Sequence, residues 1–267
     1  MTGKTLKGFL LVWLLSGCQP AEDKLVITGS STISPLMADL AEQFETRSGI
    51  QVDVQSGGSG RGISDARQGL ADFGMVSRAL KTDEQDLTAH LIGRDGIAMI
   101  VNAANPVTAL SNAEIVAIYT GEQQNWSSLG GDDAAITVVH KADGRSTQEL
   151  FLAHFGLNND QVQPDMVIGE NQQGIKAVAN DVNAIGYVSI GTAIYEADAG
   201  APLRLLPLSG VPATLESVDQ GRYPLSRELN LVSQGELSEP ASQLLDFMTD
   251  PDRAATYHDY YFLPVSR

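Results

Sequence analysis

Three loops rich in hydroxyl groups and glycine each join a short apolar segment to the predicted start of a helix. They are residues 28–35 (Thr-Gly-Ser-Ser-Thr-Ile-Ser-Pro), 55–63 (Gln-Ser-Gly-Gly-Ser-Gly-Arg-Gly-Ile) and 141–147 (Lys-Ala-Asp-Gly-Arg-Ser-Thr). The first turn of a helix has backbone N–H groups without partners, and the helix dipole adds positive charge there, so anions bind at such positions. We therefore interpret the loops as parts of one anion-binding site.

Arginine is the residue type that would complete such a site, because its guanidinium group offers an oxyanion two parallel hydrogen bonds. Arg78 follows the apolar segment 71–76, and Arg145 lies in the third loop. Arg145 has a simpler alternative, since Glu149 lies four residues further along the same predicted helix and would form a surface ion pair with it.

Two enzyme motifs resemble these loops but are incomplete. A P-loop ends in Gly-Lys followed by Ser or Thr, which the second loop lacks, and a nucleophile elbow needs glycine where this chain has Arg61. Four scattered histidines lack metal-ligand spacing: His90, His140, His154 and His258. We expect no catalytic residue, no metal and no cofactor. A phosphatase or serine hydrolase that uses Ser31 or Ser59 is the alternative.

Alternating strands and helices are predicted to hold the loops in place. Strands are predicted at 24–27, 50–54, 71–76, 97–102, 136–140, 185–189, 203–206 and 229–233. Helices are predicted at 36–44, 110–119, 174–179 and 240–248, with another that ends at residue 155. Such alternation predicts an α/β fold in which helices flank mixed sheets, with the ligand in a crevice at the strand ends.

The composition limits the kinds of partner. The chain has 267 residues, of which 43% are hydrophobic, and its formal net charge is −16. Surfaces that bind nucleic acid are basic, so this charge argues against nucleic acid and against a polybasic membrane patch. A small anion remains compatible, because a few oriented N–H groups and one arginine can dominate the local field.

The N-terminus predicts export and lipidation. Two lysines precede an apolar run at 9–15, and residues 15–18 read Leu-Ser-Gly-Cys. This is the pattern of a secretory signal that is too short to span a bilayer, and it resembles the bacterial lipobox. We predict a signal peptide at 1–17, a lipid on Cys18, a tether at 18–23, and a periplasmic or cell-surface location. A plain signal peptide with an incidental cysteine is the alternative.

Further segments accompany the three loops, at 72–78, 114–131, 184–189 and 223–227. Taken in order, all of these segments resemble the periplasmic phosphate-binding proteins of bacterial high-affinity phosphate ABC importers, which are type II periplasmic binding proteins. The pair Ser77-Arg78 resembles the smaller lipoprotein branch of that family. The likeness covers nearly all of the mature chain.

The resemblance implies two α/β lobes that hold phosphate in the cleft between them. Lobe 1 would comprise 24–102 plus 229–267, and lobe 2 would comprise 103–228. It also implies that a monomer captures inorganic phosphate and delivers it to an ABC permease. Binding of another tetrahedral oxyanion, such as sulfate or molybdate, is the alternative.

The family's ligands can be carried over residue by residue. The implied set is Ser31, Thr32, the Ile33 amide, Ser59, Ser77, Arg78, Arg145, Ser146 and Thr147. Larger members of the family have Asp where this chain has Ser77, and Arg where it has Lys141. We therefore expect Arg78 and Arg145, in preference to Lys141, to supply the positive charge. Whether a hydroxyl, Asp72 or Asp143 accepts the proton of phosphate stays open.

Overall fold

The computed structural model describes residues 24–265, so the predictions for 1–17, Cys18 and the tether lie outside the described residues. The strands are β1 (Lys24–Gly29), β2 (Gln51–Ser56), β3 (Phe73–Val76), β4 (Thr88–Asn102), β5 (Thr137–Lys141), β6 (Met166–Ile168), β7 (Ala184–Ser189), β8 (Leu203–Leu206), β9 (Ser226–Ser233) and β10 (Leu263–Pro264). The helices are α1 (Ser34–Ser48), α2 (Ser59–Arg67), α3 (Asn112–Tyr119), α4 (Ser146–Phe155), α5 (Asn171–Asn180), α6 (Ile190–Asp198), α7 (Leu215–Asp219), α8 (Glu239–Met248) and α9 (Ala254–Asp259). The predicted mixed α/β class is confirmed.

The long strand β4 links the two lobes. Its residues 88–96 pair antiparallel with β9, whereas residues 97–102 pair with β7 and β8. The strands follow the order β2-β1-β3-β9-β4-β7-β5-β6, with β1, β2 and β3 mutually parallel. We call the part of the sheet from β2 to residue 96 of β4, with its helices, the first lobe, and the remainder the second lobe.

Each lobe has its own apolar core. In the first lobe, buried residues of α1 such as Leu36 pack with Ile27, Phe73 and Leu231 of the sheet. In the second lobe, Trp126 is buried together with residues of β7 and α4. Both cores hold the strand ends in fixed positions, which is what a site between the lobes requires.

The predicted lobe boundaries, 24–102 plus 229–267 and 103–228, stay a prediction. Within β4, the partner strand changes from β9 to β7 between residues 96 and 97, before the predicted boundary at 102. Strand β9 begins at Ser226, three residues before the predicted boundary at 229. The sequence indicated a strand only from 97, because residues 88–96 include two glycines and several polar residues and lack a clear apolar pattern. Helix α6 was also missed, although Ser189 caps its first turn.

None of the helices within residues 24–265 has the length and apolar character needed to cross a bilayer.

Candidate functional site

Three helices begin at the same place between the lobes without a side-chain cap. The residues at their N-cap positions are Ile33 for α1, Gly58 for α2 and Arg145 for α4, and none of them accepts a hydrogen bond from the first turn through its side chain. Four other helices, α3, α6, α7 and α8, are capped by a serine or threonine hydroxyl. The uncapped starts of α1, α2 and α4 leave first-turn N–H groups available to an anion.

Six buried hydroxyl side chains converge at these helix starts, and we call them the hydroxyl cluster: Ser30, Thr32, Ser59, Ser77, Ser146 and Thr147. Each of them is at most 4% exposed. The Oγ atom of Ser30 donates to Ser77 Oγ at 2.9 Å, and Ser59 Oγ donates to Ser146 Oγ at 3.0 Å. Ser77 Oγ and Ser146 Oγ lie 2.5 Å apart. The cluster therefore joins residues of the first lobe to the start of α4 in the second.

Within residues 24–265, the cation that contacts the hydroxyl cluster is Arg227, near the start of β9. Its Nη1 atom donates to Thr147 Oγ1 at 2.9 Å and to Ser77 Oγ at 3.4 Å. Its Nη2 atom donates to Thr32 Oγ1 at 3.1 Å. The side chain is only 1% exposed. The guanidinium group thus lies against hydroxyls from both lobes.

Asp95 of β4 holds Arg227 in this orientation. The two residues are directly paired in the β4–β9 ladder. Asp95 Oδ2 accepts from Arg227 Nε at 3.0 Å and from Nη2 at 2.7 Å, and Asp95 Oδ1 accepts from the Gly191 amide at 3.2 Å. The carboxylate is completely buried. Because both of its oxygens are engaged, Asp95 orients the arginine and balances its charge.

Lys141 and Asn171 extend the site in the second lobe. Lys141 Nζ donates to Asn171 Oδ1 at 2.7 Å, and Asn171 Nδ2 donates to Thr32 Oγ1 at 3.1 Å. Burial lowers the pKa of Lys141 to about 7, and the positive charge of Arg227 acts in the same direction. A bound anion would favour the protonated ammonium form of this lysine.

The structure brings together five of the predicted ligands. The hydroxyls of Thr32, Ser59, Ser77, Ser146 and Thr147 all belong to the hydroxyl cluster. The predicted Ile33 amide lies at the uncapped start of α1. Predicted ligand Ser31 lies beside Glu170 and contributes to the lowered pKa of that carboxylate.

Arg78 and Arg145, expected to supply the positive charge, make their hydrogen bonds outside the cluster. Arg78 donates to both carboxylate oxygens of Glu84, at 2.6 and 2.8 Å, and to Glu149 at 2.7 Å. Arg145 Nη1 donates to Glu170 Oε1 at 2.6 Å. The alternative pair between Arg145 and Glu149 is not formed either, because Glu149 is bound by Arg78. Each arginine has an acidic partner that the local sequence pattern did not reveal.

Glu170 is a contact between the lobes. Its Oε2 atom accepts from Ser56 Oγ of the first lobe at 2.6 Å, and its Oε1 atom accepts from Arg145. Burial alone would raise the pKa of Glu170, but these hydrogen bonds hold it below the usual value. The carboxylate therefore stays ionised and joins β2 to α4 beside the cluster.

Sequence reasoning did not assign Arg227, Asp95 or Asn171 to the site. Arg227 was noted only as part of segment 223–227, and Asp95 lies in a stretch that was not predicted to be a strand. Their pairing joins residues 132 positions apart. The available signal was an Arg and an Asp that both flank apolar strands, which is too common to be specific.

The site has the chemistry of an oxyanion receptor. The hydroxyl cluster, the three helix starts and Arg227 surround one buried point with hydrogen-bond donors. The partners of the cluster hydroxyls are other hydroxyls, Arg227, the side-chain amide of Asn171 and two backbone amides of the cluster itself. Such a constellation stabilises a bound anion by charge-assisted hydrogen bonds.

Comparison with known proteins identifies the family. The model of a PBP superfamily domain matches residues 16–252. The phosphate-binding protein PstS of Bacillus subtilis is 30% identical over 258 residues, which cover 94% of this chain and 83% of that protein. The PstS of Borreliella burgdorferi is 23% identical, over 97% of this chain and 99% of that protein.

Solved structures give the same result. The crystal structure of a phosphate ABC transporter substrate-binding protein with bound phosphate, from Clostridium perfringens, has a TM-score of 0.84 at 30% identity and covers 91% of this chain and 100% of that chain. An ABC-type phosphate transport receptor from Vibrio cholerae has a TM-score of 0.74 at 27% identity, over 90% and 100% of the two chains. The chain thus belongs to the PBP superfamily, in the family of the phosphate-binding proteins that it resembles in sequence and in fold.

Proposed function

We propose that the protein captures inorganic phosphate between its two lobes and delivers it to an ABC importer. The observation that carries the proposal is the buried hydroxyl cluster against Arg227, which contains residues of both lobes. Relatives named as phosphate-binding proteins and a similar structure with bound phosphate support the same ligand. A tetrahedral oxyanion suits the site, because its oxygens accept hydrogen bonds in several directions at once.

Selectivity against sulfate would depend on the proton that phosphate still carries near neutral pH. The carboxylate at the site, Asp95, already accepts from Arg227 and from a backbone amide. A serine or threonine oxygen of the hydroxyl cluster is then the group available to accept that proton. Asp72 and Asp143 are engaged elsewhere, with the Val26 amide and with Gln148 respectively.

Calorimetric titration of the mature protein with phosphate, sulfate and molybdate tests this proposal. We expect phosphate to bind with a stoichiometry of about one, because the cluster forms one site, and to bind at least ~10-fold more tightly than sulfate, since an unpaired buried acceptor costs about 1–3 kcal/mol. Stronger binding of sulfate or molybdate would assign the protein to another oxyanion.

The same preparation tests whether the protein turns over a substrate. We propose reversible binding without catalysis, because the cluster hydroxyls bond to one another, to Arg227 and to Asn171 instead of to a histidine base. Phosphate release from simple esters that Ser59→Ala abolishes would favour the hydrolase alternative.

We further propose that a lipid on Cys18 holds the mature protein on the outer side of a bacterial membrane, next to its permease partner, as a monomer. The support is the Leu-Ser-Gly-Cys sequence at 15–18. In a bacterial host, Cys18→Ser is expected to release the protein from the membrane fraction and to change its mature mass by the loss of the lipid. Unchanged membrane association and mass would contradict the anchor.

A further inference from the structure

A cavity of about 300 Å³ adjoins the hydroxyl cluster between the lobes. Its lining includes Thr32 and Pro35 from the start of α1, Thr192 and Tyr195 of α6, and Tyr260 near the C-terminus. Thr32 is therefore shared, since its hydroxyl belongs to the cluster and its side chain also lines the cavity. Nothing in the capture of a bare phosphate ion uses this space.

The side chain of Asn171 forms part of the partition between the cavity and the cluster. Asn171 Nδ2 donates to Thr32 Oγ1 at 3.1 Å and lies 3.5 Å from Thr192 Oγ1. A group that extends from the cluster into the cavity has to replace the hydrogen bond between Asn171 and Thr32, which costs about a factor of five in affinity at ~1 kcal/mol. A ligand with one substituent on its phosphorus atom would point that substituent through this partition.

The mouth of the cavity is aromatic. Tyr195 of the second lobe and Tyr260 of the first stack with ring centroids 5.9 Å apart and an interplanar angle of 8°. Tyr195 is 45% exposed, so the cavity opens to solvent at this pair. Tyrosine faces attract cations through their quadrupole.

The rim of the cavity is acidic. Glu196 Oε1 accepts from Gln172 Nε2 of the lining at 2.6 Å. Burial and the adjacent Asp39 raise the pKa of Tyr260, a residue of the lining. The lining itself carries no positive charge. The rim therefore favours a cationic group and disfavours an anionic one.

We propose that this cavity is a second subsite that takes the positively charged substituent of a small aminoalkyl phosphonate or phosphate monoester, whose phosphoryl group occupies the hydroxyl cluster. The inference rests on the proposed function, because the same cluster binds the phosphoryl group. The volume lies at the lower end of the range for ligand pockets, so the substituent has only a few non-hydrogen atoms.

Direct titrations of the protein with each ligand, and competition titrations against phosphate, test the subsite with three phosphonates of similar size. The probes are 2-aminoethylphosphonate, ethylphosphonate and 3-phosphonopropionate, which are cationic, neutral and anionic in the substituent. We expect the aminoethyl compound to bind about 3- to 10-fold more tightly than the ethyl compound, from cation–π and carboxylate attraction, and the anionic compound to bind most weakly.

Glu196→Lys is the decisive variant, because Glu196 lies at the rim and outside the hydroxyl cluster. It is expected to reverse the order of the cationic and anionic probes while phosphate affinity stays within about twofold. Glu122→Gln, at an exposed acidic residue of the second lobe, is the matched control and is expected to change none of the affinities.

The outcomes separate the two proposals. The subsite is overturned and phosphate capture stands if phosphate binds but all three phosphonates bind more than a thousandfold more weakly than phosphate. The same holds if the order of the three phosphonate affinities does not depend on the charge of the substituent or on Glu196→Lys. If the protein binds the aminoethyl compound in the expected order but not phosphate, the subsite stands and the proposed phosphate function fails. If it binds neither, both fail.

Discussion

Replacing Arg227 is expected to cause the largest loss of phosphate binding of any single change at the site. Its guanidinium group is the cation that contacts the hydroxyl cluster. Hydrogen bonds to charged groups contribute roughly 1.5–3 kcal/mol each, so the loss of two such bonds from the guanidinium group to phosphate weakens binding by about 100- to 20,000-fold. Calorimetric titration with phosphate measures this loss.

The variant has to be made in a form that folds. Arg227→Met alone leaves Asp95 buried without its partner, which costs about 3–5 kcal/mol of stability. We therefore expect Arg227→Met combined with Asp95→Asn to retain more of the wild-type stability than Arg227→Met alone, and still to lose phosphate binding. Circular dichroism during thermal unfolding checks the fold before titration.

Arg145→Ala is the matched control for this experiment. Its guanidinium group pairs with Glu170 and makes no hydrogen bond to the hydroxyl cluster among those found in residues 24–265. Phosphate affinity is expected to stay within about threefold of wild type, because a half-buried ion pair next to the site contributes little to binding. A large loss in Arg145→Ala, with the double variant of Arg227 and Asp95 still binding, would restore the sequence-based assignment of the cation.

The comparison of Arg145 with Arg227 explains what the sequence can predict. The hydroxyls were identified because each lies in a local strand–loop–helix pattern, and the parallel strands β1 and β3 bring Thr32 and Ser77 to the same sheet edge. Local patterns do not reveal whether a cation has an acidic partner. Arg78 and Arg145 were candidates by position alone, and both are engaged by glutamates that tertiary packing supplies.

Arg227 could not be found because its role depends on strand register. Asp95 and Arg227 face each other because β4 extends back to residue 88 and pairs with β9 from residue 226. That stretch of β4 includes glycines and charged residues, which obscure strand periodicity. Buried ion pairs across a sheet are thus decided by pairing between distant segments, while loop chemistry is decided locally.

Lys141 is expected to make the stability of the phosphate-free protein rise with pH above 7. Burial lowers its pKa to about 7 in the folded protein, against an ordinary value of about 10.5 in the unfolded chain. Between these values the unfolded chain binds more protons, so the penalty for burying the charged lysine is largest below pH 7 and is relieved as the pH rises towards 10. The free energy of unfolding is then expected to rise by about 2–3 kcal/mol from pH 7 to 9.5.

Urea unfolding of wild type and Lys141→Met at several pH values isolates this contribution. The methionine variant lacks the titrating group, so its stability is expected to lack the rise over that range and to exceed the wild-type value at pH 7. The same slope in both proteins would show that Lys141 is not the group responsible. Arg145 and Glu170 influence the same lysine and are unchanged in this comparison.

Phosphate binding is expected to raise the lowered pKa of Lys141, because the anion favours the ammonium form of the side chain. At pH 8 a lysine with a pKa of about 7 is mostly neutral, so binding should take up nearly one proton more than in Lys141→Arg, whose guanidinium is always charged. Titration in two buffers of different ionisation enthalpy counts these protons. The proton of phosphate itself contributes equally to both proteins and cancels in the difference. Equal uptake by wild type and Lys141→Arg would mean that Lys141 has the same charge before and after the anion binds, which would contradict the expected rise in its pKa.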